Sequence, residues 1–123
     1  MLLTSIVVPT IPVTDLDKAK RFYTETLGLT ALWDNAWSVR LGCGGGTQIS
    51  IFQSDRSTAN HTLAHFEVND IERVVRELQQ HDVTFIDRSD GQTTTDGYII
   101  EVGPVRGAWF QDPDGNILGL RQA

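Results

Sequence analysis

Apolar side chains recur at helical spacing in two short stretches of this chain and alternate with polar ones across most of the rest. Leu16, Ala19, Phe22, Tyr23 and Leu27 fall on one face of a helix. Thr14 or Asp15 is placed to cap its first turn, Asp17 adds a favourable charge there, and Gly28 can take the left-handed conformation that ends it. Ile71, Val74, Val75 and Leu78 repeat the stripe behind a cap at Asn69 or Asp70. The other patterned stretches predict strands. "SIVVPTIPV" precedes the first helix, its two prolines suiting an edge, and "WSVRL" and "TQISIFQ" follow, joined by "GCGGG". After the second helix come "YIIEV", "RGAWFQ" and "NILGLRQ". The glycine run lacks the Lys-Ser/Thr of a phosphate loop and predicts a hairpin turn. "DPDG" has turn chemistry, with Pro113 at the corner and Gly115 able to take positive φ. The polar "DRSDGQTTTDG", residues 87–97, is the longest loop and the expected lid.

The two halves echo each other. "IPVTDLDKAKRFY" (11–23) lies over "FEVNDIERVVREL" (66–78) at a constant offset of 55, placing Asp15 on Asp70 and Leu16 on Ile71. "GTQISIFQ" (46–53) lies over "GNILGLRQ" (115–122) at an offset of 69, pairing Ile49 with Leu118 and Gln53 with Gln122. Each half therefore reads as βαβββ. The expected class is α+β: two pseudo-symmetric modules, about 1–56 and 60–123, within one domain. Their mixed sheets curve into a cup with the helices on its outer face, which leaves the inner face for function. One oddity stands out. Gly119 sits mid-strand in "NILGLRQ", where a glycine weakens the strand and leaves a gap.

Composition narrows the function without naming it. With 16 acidic against 10 basic residues in 123, the net charge of −6 argues against nucleic acid or an anionic membrane as partner. Cys43 is the single cysteine, so no intrachain disulfide forms and a reducing, cytoplasmic location is expected. "MLLTSIVVP" has no basic n-region and is too short for a signal peptide or a membrane span.

"IPVTDLDKAKRFYTETLGL", "HFEVNDIERVVREL" and "WFQDPDGNILGL" together resemble the vicinal oxygen chelate superfamily. That superfamily contains glyoxalase I, extradiol dioxygenases, fosfomycin-resistance enzymes and metal-free bleomycin-binding proteins. The resemblance spans nearly the whole chain and implies paired βαβββ modules around one site, commonly in a homodimer. It does not fix the chemistry, because this fold hosts several. It also implies where relatives hold a divalent metal. A His or Gln stands seven residues before the first capping Asp, which here is Val8. A second His precedes the later Asp by seven, here Leu63, and a Glu in the last strand corresponds to Gly119. A further Glu of some members maps to Ser50. The internal offsets pair Val8 with Leu63 and Ser50 with Gly119, as a shared site requires. None of the four is a strong ligand, whereas a catalytic metal generally needs three protein ligands, so no metal or other cofactor is expected.

Strand parity from those positions collects Thr10 and Pro12, then Gln48, Ser50 and Phe52. It also collects His61, Leu63, His65 and Glu67, and finally Ile117 and Arg121. Trp37 and Trp109 join the expected ligand contacts, although parity does not fix the facing of Trp33, Trp37, Tyr98 or Trp109. Glu67 and Arg121 are placed to pair. An apolar, aromatic face with a few polar anchors describes a pocket for a small organic ligand. The leading expectation is a homodimeric, metal-free binding protein that sequesters an antibiotic or toxic metabolite. Its negative charge suits a cationic ligand without locating the site. The alternative is a lyase, isomerase or dioxygenase, with metal on unusual ligands such as His65 and Glu101, or with His65 or Glu67 as general base. A plain interaction domain is a third class, with no specific support.

Overall fold

A computed structural model of the chain describes residues 1–55, 61–87 and 98–123. It forms two compact units, Met1–Ser57 and Thr58–Ala123. The first contains β1 (Thr10–Val13), α1 (Leu16–Arg21), β2 (Thr30–Asp34), β3 (Ser38–Gly42) and β4 (Gln48–Gln53). The second contains β5 (Thr62–Glu67), α2 (Ile71–Gln80), β6 (Ile100–Val102), β7 (Val105–Gln111) and β8 (Ile117–Gln122). Their sheets have the same topology, β1-β4-β3-β2 and β5-β8-β7-β6. In each, the first strand pairs parallel with the last and the other neighbours pair antiparallel. The α+β class and the doubled βαβββ order are those the sequence predicts. The loop expected as a lid lies, except for Asp87, outside the described residues. Among the described residues, no helix is long and apolar enough to cross a membrane.

The repeat has a physical cause at the helix starts. Asp15 Oδ1 accepts from Lys18 N at 3.1 Å and Asp70 Oδ1 from Arg73 N at 3.2 Å, so both aspartates cap their helices. The paired glutamines at the ends of β4 and β8 meet the same orphan donors. Gln53 Oε1 accepts from Leu16 N at 3.1 Å, and Gln122 Oε1 from Ile71 N at 2.8 Å. Each last strand thus ties down the helix that follows its parallel partner. α1 ends in a π-type turn, Phe22–Thr26, instead of running straight to Gly28. Gly28 then takes φ +79, and Leu29 N donates to Tyr23 O.

Alternate strand residues face the helices. Ile11, Val13, Val39, Leu41, Ile49 and Ile51 bury that face of the first sheet against Ala19 and Tyr23. In the second unit Ala108, Phe110, Leu118 and Leu120 do so with Ile71, Val75 and Leu78. The expected first strand is shorter than its sequence suggests: only Thr10–Val13 pairs, and Leu2, Leu3, Ile6 and Val7 are exposed. β1 pairs only with β4, and the ladder stops at Thr10 and Ser50, two residues short of the start of β4 at Gln48.

Candidate ligand-binding site

With one face of each sheet spent on the core, the opposite face carries the candidate site. Ladder register arranges it in rows. In the first unit Thr10 pairs with Ser50, Ser50 with Arg40, and Arg40 with Trp33, one row across all four strands. Pro12, Phe52 and Ser38 form the row on one side of it. Gln48, Gly42 and Thr30 form the row on the other. In the second unit His65, Gly119 and Trp109 make the matching row, followed by Glu67, Arg121 and Gly107. The offsets of 55 and 69 put His65 over Thr10, Gly119 over Ser50 and Trp109 over Arg40.

Gly119 has a local explanation. A Cβ there would stand 3.2 Å from His65 Cβ and 3.5 Å from both Trp109 Cδ1 and Thr62 Cγ2. A Cβ on Gly107, two residues before Trp109, would lie 3.0 Å from the far edge of the indole. Trp109 therefore lies along the sheet over two glycines, and the space that the sequence suggested was left open is bordered by aromatic carbon. The first unit repeats the device with Leu32, whose Cδ2 would be 3.1 Å from a Cβ on Gly42.

Two ladder irregularities correct the parity count. In β5 the register shifts between Thr62 and Ala64, so Leu63 has no ladder partner and Thr62, not Leu63, stands beside Gly119. In β2 the shift falls between Ala31 and Trp33, which lets Trp33 pair with Arg40. A one-residue bulge reverses the facing of everything beyond it, and period-two counting cannot see it. The facing of the remaining aromatics is also resolved. Tyr98, half-buried, packs against Phe85 at 6.0 Å between ring centres, and Phe85 in turn against Phe110 at 5.6 Å, so Tyr98 lies at the edge of the core. Trp37 lies in the turn before β3, 72% exposed and outside these rows, its amide donating to the Asn35 side chain.

The polar groups form two clusters. Glu67 Oε2 lies 3.4 Å from His65 Nε2 and 3.6 Å from Arg121 Nη1, which realises the expected Glu67–Arg121 pair on an exposed surface. Glu101 instead faces Arg106. In the first unit Arg40 Nη1 donates to Gln48 Oε1 at 2.8 Å, and its guanidinium lies 4.9 Å from the centre of the Trp33 ring. Arg40 was absent from the sequence-derived set. Its signal was legible, because it alternates with the core residues Val39 and Leu41. An open cavity of about 550 Å³ adjoins this cluster, lined by Thr30, Leu32, Gly42, Cys43, Thr47 and Gln48 among others. Burial pushes the Cys43 thiol above its ordinary pKa, which disfavours the thiolate form.

These features agree with the comparisons to known proteins. Residues 5–120 match the Glyoxalase/Bleomycin resistance protein/Dioxygenase superfamily. The chain belongs to that superfamily. A superfamily member from Sphaerobacter thermophilus DSM 20745 is similar at 27% identity and TM-score 0.76, with 100% of both chains covered. TnmS3, an antibiotic binding protein from Streptomyces sp. CB03234, is similar at 26% identity and TM-score 0.71, with 98% of each chain covered. The fosfomycin resistance protein FosX from Listeria monocytogenes shares the fold at TM-score 0.74 and 14% identity, over 98% of this chain and 94% of its own. No curated protein sequence matches the chain. Among the described residues, no three His, Cys, Asp or Glu side chains are grouped to hold an ion.

Proposed function

We propose that this chain is a metal-free small-molecule-binding protein that encloses a hydrophobic or aromatic ligand and thereby sequesters an antibiotic or toxic metabolite. The observation that carries this is the filling of the Gly119 position. Where the resemblance places a metal-binding carboxylate, the Trp109 indole and the His65 and Thr62 side chains close in. The donor set supports the same reading, since Val8, Leu63 and Gly119 offer no side-chain lone pair and Ser50 and Thr62 offer neutral hydroxyls, which leaves His65 as a lone nitrogen donor where a catalytic metal needs about three ligands. A divalent metal does not fit it. The half-exposed Trp33 and Phe52 supply stacking surface, with Thr10, Gln48 and Ser50 as polar anchors beside them. Similarity to an antibiotic binding protein at 26% identity points the same way.

We place the protein in the cytoplasm as a homodimer. Its single cysteine suits a reducing compartment, and the exposed apolar Leu3, Ile6 and Val7 offer surface for a second copy. The contact of His65 with Glu67 favours one second reading, a metal-independent enzyme in which this pair is the general base.

Tryptophan fluorescence separates the two. Neutral polycyclic aromatics are expected to quench it saturably, at micromolar concentration, and to be recovered unchanged. Chemical conversion of a bound compound, lost in His65→Ala, would replace the binder by the enzyme.

A further inference from the structure

We propose that Arg40 orients the ligand and selects a flat, unsaturated molecule bearing an anionic oxygen group, such as a carboxylate. This rests on the binding reading above and narrows it to a ligand class. Arg40 lies in the middle of the first unit's outward row, beside Ser50 on one strand and Trp33 on the other. Its contacts among the described residues are the neutral Gln48 oxygen and the Trp33 ring, with no carboxylate among them. The other half-buried arginines among the described residues do meet carboxylates, Arg106 facing Glu72 and Glu101 and Arg121 facing Glu67. Among the described residues the Arg40 Nε is shut away from solvent without a hydrogen-bond acceptor, as is the Arg106 Nε, but only the latter has a carboxylate nearby, Glu101 at 3.7 Å. A partly desolvated guanidinium with a spare donor and no counter-ion is costly to maintain, and an oxyanion supplies what it lacks.

The surroundings define the rest of the ligand. Trp33 and Phe52 expose 50% and 36% of their surface on this face, and both present flat ring area. Gln48, the acceptor for Arg40, also lines the 550 Å³ cavity, which has the volume of an ordinary small-ligand site. The Ser50 and Thr10 hydroxyls continue the row and can donate to further ligand oxygens. The chain's overall negative charge, which alone would favour a cationic ligand, is contradicted locally by this one cation.

Isothermal titration calorimetry on the full chain with a matched pair of probes, 2-naphthoate and 2-naphthamide, tests the assignment. The wild type is expected to bind the carboxylate at least about tenfold more tightly than the amide. R40Q should abolish that preference, so that the carboxylate and the amide bind within about twofold of each other. R40K, which keeps the charge but not the planar fork, should retain only part of it. Equal binding of both probes by the wild type, or a preference that survives in R40Q, overturns the role of Arg40 while leaving the binding function standing. The wild-type ratio decides this even where a variant fails to fold. Failure of both probes to bind at millimolar concentration overturns the assignment and the reading beneath it together.

Discussion

Asp112→Ala is expected to destabilise the protein by about 2–4 kcal/mol, the largest single-site loss anticipated here. Asp112 and Asn116 are the buried polar residues of the β7–β8 corner, at 5% and 0% exposure. One Asp112 oxygen accepts from the backbone N–H groups of Asp114 and Asn116, each at 2.9 Å. The other accepts from the Asn116 amide at 2.8 Å, while the two backbones bond to each other at 3.0 Å. Alanine removes a charged acceptor and leaves those three donors facing a cavity. Gly115, at φ +85, completes the turn and cannot compensate. At roughly 3–5 °C per kcal/mol for a chain of this size, the melting temperature should fall by about 10 °C. Thermal denaturation followed by circular dichroism measures it directly. A shift below about 2 °C would mean that the corner contributes little. The same corner sets the register that places Trp109 opposite Gly119, so ligand affinity should decline along with stability.

Gly119→Glu should weaken binding of neutral aromatics by at least about tenfold and also lower the melting temperature. The new Cβ would meet His65 Cβ at 3.2 Å, and that atom is fixed by the backbone of a paired strand. The Trp109 edge, 3.5 Å away, is the part able to yield, so the indole must leave its bed over the glycines. A charged carboxylate then stands where the apolar surface was. Gly119→Ala adds the methyl without the charge and should show a smaller loss in the same titration. Unchanged quenching of tryptophan fluorescence in the glutamate variant would mean that the ligand does not use this face of the second sheet.

Much of this architecture was legible in the sequence because it depends on local chemistry or on repetition. Asp15 and Asp70 cap helices in the ordinary way, and Gln53 and Gln122 recur because each accepts from the first helical N–H, a different donor from the one the aspartate takes. The alternation in β4 identified Gln48, Ser50 and Phe52 as an outward set, opposite the core residues Ile49 and Ile51. What stayed hidden depends on neighbours across the sheet. The bulges in β2 and β5 leave no mark in a single strand, yet they put Trp33 against Arg40 and Thr62 against Gly119. Gly119 itself was visible as an anomaly, but its cause was not. The indole that occupies its space comes from another strand, ten residues earlier in the chain.

Under the proposed function, ligand binding is expected to need no ion. That expectation is tested most directly by titrating a neutral aromatic into protein dialysed against a chelator, alongside untreated protein assayed for bound metal. The predicted result is superimposable isotherms and no stoichiometric divalent metal in either sample. A tightly held ion whose removal abolishes binding or turnover, and whose return restores it, would contradict the account.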